Sequence, residues 1–399
     1  MTVRAKLPDG VYEFTIVTPP AGNGPRVRIS GTTYEIVSVD PADATATPVR
    51  FNHPTEGTLA WAGGKIPILY IHKMGSTFQP TDAFTWEEAD LSGYGVPPNH
   101  VAEIRIEYPG VYADGDLEGI AGARQTGSAL SRLVSIQPYL SGRNTVTFCV
   151  NVDADCKIEI YSNYLTGLTT VPKSQFRVLG YYENATYTET IITLDTTADA
   201  WDTDTLFASH GIPKGSVIEV VMGCVSNDYN RVIGLRQTGA AGRSYNMARG
   251  SYGSGGRWVR VFETTSVANG EVDTYVSTDS SYNTHRCMGY WDLTVGYTLV
   301  GTTYAPANPS AWENKNIGLA YRKIANVVMY NTLTTGTRTV GVRADGSALD
   351  RFHGVERARS TYISMWTACV EVVGAGIVEI YSSNITEAQL IVDGYLGSV

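Results

Sequence analysis

The chain is poor in charge: Asp, Glu, Lys and Arg make up 17% of its 399 residues, below the quarter usual for soluble proteins. The charge present is acidic, with 39 Asp and Glu against 30 Lys and Arg and a net −9. No basic domain or stripe stands out, which argues against a dedicated nucleic-acid binder. No apolar run reaches about 18 residues, so no membrane-inserted helix is expected. The opening "MTVRAKLPDGVYEF" has neither an apolar core nor a small-residue cleavage site, and synthesis in a cytoplasm without Sec export is expected. Five cysteines are scattered without CxxC or Cys/His spacing, which leaves zinc unsupported. HExxH, GxSxG and P-loop motifs are missing, and the six histidines are dispersed, so no catalytic set, metal or cofactor is expected.

Glycine (41), tyrosine (25) and many Thr, Ser and Val residues fill the space that charge leaves. Branched and aromatic side chains suit a pleated, half-buried surface and glycine suits turns, so the composition predicts an all-β chain. With 43% hydrophobic residues it can bury more than one core, and its length calls for about two to four domains.

Those domains are announced by an internal repeat. "GARQTG" at 122–127, "GLRQTG" at 234–239 and "GVRADG" at 341–346 carry Arg124, Arg236 and Arg343. A tryptophan followed by an Ile/Val-rich stretch precedes each: Trp86, Trp201 and Trp312. After each comes a pair of strand-like runs closed by Gly-Tyr, as in "TFCVNVDADCKIEIYSN" then "VLGYY". Trp-to-Trp spacings are 115 and 111, and Arg-to-Arg spacings are 112 and 107. A period above 100 means tandem domains rather than a solenoid. The boundaries are a small N-terminal β domain at 1–67 and three β-sandwich repeats at 68–183, 184–294 and 295–399. In the first domain "GVYEFTIV", "PRVRIS", "TYEIVSV" and "TPVRFN" are candidate strands.

Seven or eight strand-like segments per repeat fit a sandwich of jelly-roll or immunoglobulin type. "NVDAD", "VANGE" and "VGAGI" carry turn residues and predict hairpin loops. In "HVAEIRIEY" the pattern puts Glu103 outward, against Ile104 and Ile106. Cys149 and Cys369 occupy matching places in two repeats and read as small buried hydrophobes rather than a bonded pair.

Three candidate sites follow. Each Arg turn is trailed by a second arginine, at 132, 243 and 351, and two guanidinium groups can clamp a carboxylate or phosphate. The alternative is that Arg124, Arg236 and Arg343 pair with acids and that these and the three tryptophans recur to hold each fold together. The runs "YSNYLTG", "YVSTDSSYN" and "YSSNIT" put Tyr161, Asn163, Tyr164, Tyr275, Tyr282, Tyr381 and Asn384 on predicted loops, where they can meet a glycan or another subunit. Glu159, Asp273 and Glu379 alternate with core residues and read as facing solvent or a neighbouring unit; no unique acid pair suggests hydrolysis. "DAD" at 153–155 lacks the further ligands of a calcium loop. The middle repeat alone has a Gly-rich, Arg-bearing run, "RSYNMARGSYGSGGRW", read as a contact arm or a mobile loop rather than an active site.

The runs "VGVRADGSALDRF" (340–352) and "AGARQTGSALSRL" (121–133) resemble segments of β-sandwich virion proteins from the head or tail surface of tailed phages and archaeal tailed viruses. The middle copy departs, reading "GAAGRS" where the others read "GSAL(S/D)R". The resemblance implies a structural virion protein (capsid decoration, turret, tail or fibre-like) that assembles as a homo-oligomer, with three sandwiches stacked as a stalk. Its partners would be its own copies, other virion proteins bound through residues 1–67, and a host surface glycan during attachment. A carbohydrate- or receptor-binding protein using the Tyr/Asn loops is the other reading, and a polysaccharide hydrolase the third.

Overall fold

The computed structural model describes residues 2–7, 10–15, 29–30, 33–34, 68–73, 75–107, 119–136, 145–163, 174–224, 231–240, 243–247, 257–277, 283–293, 295–319, 323–331, 336–349, 352–357, 365–372, 376–384 and 388–398. The chain divides into two compact units, Met1–Ile68 with Ser398–Val399, and Leu69–Gly397. In the first, β1 (Thr2–Leu7) pairs antiparallel with β2 (Gly10–Thr15), and β3 (Ile29–Ser30) with β4 (Thr33–Tyr34). Three of the four candidate strands contain β2, β3 or β4; "TPVRFN" lies outside the described residues, and β1 was not anticipated.

The second unit holds three sets of eight strands. The first set is β5 (Leu69–His72), β6 (Trp86–Asp90), β7 (Val101–Glu107), β8 (Gly119–Gln125), β9 (Leu133–Ile136), β10 (Thr145–Asn151), β11 (Lys157–Ser162) and β12 (Gln175–Glu183). The second is β13 (Tyr187–Leu194), β14 (Ala200–Thr205), β15 (Val217–Cys224), β16 (Arg231–Gln237), β17 (Arg243–Met247), β18 (Arg257–Thr264), β19 (Glu271–Val276) and β20 (Asn283–Trp291), with a short helix α1 (Leu206–His210). The third is β21 (Val295–Tyr304), β22 (Trp312–Asn316), β23 (Ile324–Asn331), β24 (Gly336–Ala344), β25 (Phe352–Arg357), β26 (Met365–Glu371), β27 (Ile377–Ser382) and β28 (Ala388–Ser398). Counted one to eight within a set, the strands form two four-stranded sheets in the orders 1-8-3-6 and 2-7-4-5, three times over. Successive strands switch sheets, except the fourth and fifth, which pair with each other; this is the double Greek key of a jelly roll and decides against the immunoglobulin alternative.

Two expectations are corrected here. β10 and β11 form no hairpin: β10 pairs with β7, while β11 pairs with β6 and β8 in the opposite sheet. Val146, Phe148 and Val150 meet Ile158 and Ile160 across one core, so the turn at Asp153–Cys156 carries the chain between layers. Glu103 does not face solvent either. Every residue of β7 is buried: Ala102, Ile104 and Ile106 face the sandwich core, and the other face of the strand is covered as well.

What covers it is a neighbouring repeat, the third, whose Cys369 N donates to Glu103. The sixth strands, β10, β18 and β26, meet one another, and each lies beside the first strand of the following set: β10 by β13, β18 by β21, β26 by β5. A head-to-tail contact that returns to its start closes a ring. The three jelly rolls therefore form a pseudo-threefold ring, not the stacked row expected for a stalk.

The Gly-Tyr landmark now has a cause. Each eighth strand slips register by one residue, leaving Leu179, Met288 and Asp393 as the extra residue of a bulge. Directly after it Gly180, Gly289 and Gly394 stand opposite Glu103, Glu219 and Asn326. A Cβ on these glycines would lie 2.3, 2.2 and 2.4 Å from the Cζ of Tyr70, Tyr187 and Tyr297. Only glycine lets the first-strand tyrosine cross the eighth strand. Replacing Gly289 by Ala is expected to lower stability by about 2–3 kcal/mol, through overpacking and a displaced buried hydrogen bond. Gly239→Ala, at an open turn with φ +80°, should cost about 1 kcal/mol. Equal losses in denaturant melts of the two variants would contradict this reading.

Candidate functional site

Two polar constellations recur, one on the outer sheets and one between repeats. On the outer 2-7-4-5 sheets, Trp86, Trp201 and Trp312 open the edge strands β6, β14 and β22 or sit one residue in. Register sets them beside Tyr161, Tyr275 and Tyr381, with ring centroids 5.4, 5.3 and 5.4 Å apart. The guanidinium carbons of Arg124, Arg236 and Arg343 lie 4.0, 4.1 and 4.2 Å from the tryptophan centroids. Their Nε atoms pair with Glu159, Asp273 and Glu379 at 2.6, 2.8 and 2.5 Å. Each cation is thus held between an aromatic face and a carboxylate of its own repeat, which corrects the placement of these acids toward solvent or a neighbour.

The repeated hexapeptide reads directly onto this cluster. Its first glycine, Gly122, Gly234 or Gly341, stands opposite the tyrosine. Its last, Gly127, Gly239 or Gly346, takes φ of +74, +80 or +72° in the turn. Arg124 Nη1 also donates to Leu130 O at 3.0 Å, and Arg343 Nη1 to Leu349 O at 3.3 Å. Burial opposes ionisation of Asp273, but bonds from Arg236, Thr203 and Thr238 hold its carboxyl below the usual range.

The second arginine of the first repeat, Arg132, does not complete a clamp. Arg132 is fully buried: it reaches Glu189 of the next repeat at 3.3 Å and donates to Cys149 O of its own repeat at 2.8 Å. Arg243 lies on β17, and Arg351 falls outside the described residues. The loop candidates are dispersed too. Tyr161, Tyr275 and Tyr381 are on strands β11, β19 and β27, not on loops. Asn163 Oδ1 accepts from Ile120 N at 2.5 Å and its own N donates back to Ile120 O at 2.9 Å, so it extends the pairing of β8. Asn384 N donates to Ser382 Oγ at 3.1 Å. Tyr164, Tyr282 and the glycine-rich stretch 248–256 lie outside the described residues.

The inter-repeat junctions were not singled out from the sequence. Glu219 of the second repeat accepts Cys149 N from the first at 3.0 and 3.1 Å, and the hydroxyl of Tyr187 at 2.5 Å. Glu189 accepts Asn151 N at 2.7 Å. At the third-to-first junction Glu103 accepts Cys369 N at 3.0 Å and the Tyr70 hydroxyl, and His72 Nε2 accepts Glu371 N at 3.1 Å. Glu103 and Glu219 are fully buried. Burial raises the Glu219 carboxyl, with Arg260 and Arg132 opposing the rise. The Cys149 thiol is driven well up by burial and by Glu219, and that of Cys287 to about 12 by burial. Cys149, Cys287 and Cys369 are outside any disulfide and buried, and so unreactive in the folded protein. A usable signal existed: in "SVIEVVM" and "WVRVF" a single charge has β-branched neighbours on both sides, as a strand covered on both faces requires.

Among the described residues no group of three His, Cys, Asp or Glu side chains is placed to hold a metal, and no helix is long and apolar enough to cross a membrane. No family model matches the chain. No curated protein sequence matches it either. Similar solved structures include the N-terminal tandem CBM22 domains of Xyn10C from Paenibacillus barcinonensis, at 9% identity and TM-score 0.17, covering 54% of this chain and 84% of that one. A second is the triple jelly-roll turret protein of an archaeal virus, at 9% identity and TM-score 0.17, covering 83% of this chain and 91% of that one. A third comes from Sulfolobus Turreted Icosahedral Virus, at 8% identity and TM-score 0.17, covering 88% and 90%. At these scores the likenesses carry no argument about role; the jelly-roll assignment rests on strand order.

Two outcomes follow. Arg343→Lys keeps the charge but loses the planar fork that stacks and bonds at once, and should lower stability by about 1 kcal/mol, close to Arg343→Ala; a Lys variant melting with the parent would contradict it. Asp204 on β14 is raised from 3.8 to about 6, by burial first and then by Asp195, Asp202 and Asp273, against a bond from Asp195 N. The fold binds this proton more tightly than the unfolded chain does, so stability falls as pH rises from 3.8 to about 6. Asp204→Asn should therefore raise the melting temperature at pH about 7.5 by about 1–3 °C and leave it unchanged near pH 4; a gain at acid pH alone would be the wrong sign.

Proposed function

We propose that this chain is a structural protein of a tailed virus, carried on the capsid or tail surface, and that it serves as a building block rather than an enzyme. The observation that supports this most is the closed ring of three jelly rolls, whose first- and sixth-strand edges are turned on one another. Such a body is rigid because its repeats share buried contacts instead of flexible linkers. With those edges used internally, contacts to other copies and other virion proteins fall to the outer sheets and to residues 1–67. Jelly rolls serve both capsids and lectins, so fold alone does not choose between them. The likeness of "AGARQTGSALSRL" and "VGVRADGSALDRF" to virion surface proteins favours the first.

The Tyr/Asn glycan reading draws less support, because Tyr161, Tyr275 and Tyr381 pack on tryptophan and Asn163 is bonded to β8. Sedimentation and negative-stain imaging of the purified chain test the proposal. The expected result is a stable homo-oligomer of closed symmetry with no turnover of polysaccharide. A 43.2 kDa monomer at concentrations of about 10 µM would contradict it, and saturable glycan binding by that monomer would move the assignment to the receptor-binding reading.

A further inference from the structure

Among the described residues, one buried guanidinium, that of Arg260, touches all three jelly rolls. Arg260 is on β18, two residues before Phe262, and is fully buried. The matching residues of β10 and β26 are Thr147 and Thr367, two before Cys149 and Cys369, both buried. The ring is therefore symmetric in backbone and asymmetric in charge at its centre.

Arg260 Nη1 lies 2.6 Å from Glu103 Oε1 of the first repeat and 3.8 Å from Glu219 Oε1 of its own. Its Nη2 donates to Asn326 Oδ1 at 3.1 Å and to Cys369 Sγ at 3.3 Å, both in the third repeat. Glu103, Glu219 and Asn326 are equivalent residues, each opposite the glycine that follows a bulge. One side chain thus engages the same strand position in every repeat.

We propose that Arg260 is the latch of the ring, the internal cation that keeps the third repeat closed on the first. Continuous backbone already tethers the first repeat to the second and the second to the third. The third-to-first junction has no such tether, and its acceptor Glu103 takes both Cys369 N and the Tyr70 hydroxyl. Glu219, across the tethered first-to-second junction, also has Arg132 at 4.0 Å, whereas Arg260 at 2.6 Å from Glu103 Oε1 spans the junction that has no tether. Taking a 2.6 Å counter-charge from a fully buried carboxylate is strongly unfavourable, and opening this junction returns Glu103 to water.

The cysteines report on it. Cys369 lies at the third-to-first junction, Cys149 at the first-to-second, and Cys287 within the core of the second repeat. Labelling the full chain with a thiol-reactive probe, read by peptide mapping, should find all three protected in the parent. In Arg260→Thr, which installs the residue of the other two repeats, Cys369 should label at least about tenfold faster while Cys149 and Cys287 stay protected, as in a local opening. About 10 mM guanidinium ion should restore protection by refilling the site. Adding Glu103→Gln to Arg260→Thr should also restore it, because an amide still accepts Cys369 N but needs no counter-charge. Unchanged protection of Cys369 in Arg260→Thr overturns the latch. So does a common labelling rate for all three cysteines, or a double variant that labels like Arg260→Thr alone; if Arg260→Thr does not fold, recovery of a folded, protected double variant decides the question.

Discussion

The fold of the large unit depends on how the open edge of each sixth strand is capped. An edge strand presents unpaired N–H groups, and leaving them buried without partners is unfavourable by about 1–3 kcal/mol each. Here the neighbouring repeat supplies side-chain acceptors in place of another strand. Cys149 N and Asn151 N donate to Glu219 and Glu189, and Cys369 N and Glu371 N donate to Glu103 and His72. The remaining junction has other chemistry in the same geometry: Leu299 stands where the others have Glu189 and His72, Thr264 N donates to Glu263 of its own strand, and Arg260 reaches Asn326. Caps of this kind join the repeats without merging their sheets, which keeps three sandwiches distinct inside one body.

A carboxylate can stay in such a place only if its oxygens are used. The tyrosine of the first strand provides for this, crossing its glycine to reach Glu103 or Glu219. In the third repeat the acid has moved to the bulge: Tyr297 donates to Asp393, and Asn326 Nδ2 approaches the same oxygen at 3.3 Å. Tyrosine, glycine, bulge and acid behave as one unit, and moving the acid by one strand leaves the tyrosine satisfied. The outer Trp–Arg–acid cluster is independent of this. It ties strands two, four and seven of each repeat together and is complete within the repeat.

Much of this organisation was readable from local sequence. Tryptophan, arginine turn and Gly-Tyr recur because each is demanded by a short-range feature: an edge aromatic, a left-handed turn, a close crossing over glycine. The unread parts are non-local. Alternation in "HVAEIRIEY" separates apolar from polar positions but does not distinguish a face in water from a face buried against another repeat, so Glu103 read as exposed. Turn residues at Asp153–Cys156 mark a reversal of the chain without saying whether the next strand stays in its sheet. Ring closure joins β26 to β5, at opposite ends of the unit, and no pattern within one repeat encodes that.

Hydrogen exchange at the capped edges bears most directly on the closed ring. The amides of Cys149, Asn151, Cys369 and Glu371 lie on edge strands, where free N–H groups exchange through small local fluctuations. In a closed ring they are expected to exchange as slowly as amides of the interior strands β7 and β23. Exchange of these four at the rate of an open edge, with β7 and β23 still protected, would mean that the three jelly rolls fold separately and that no ring exists.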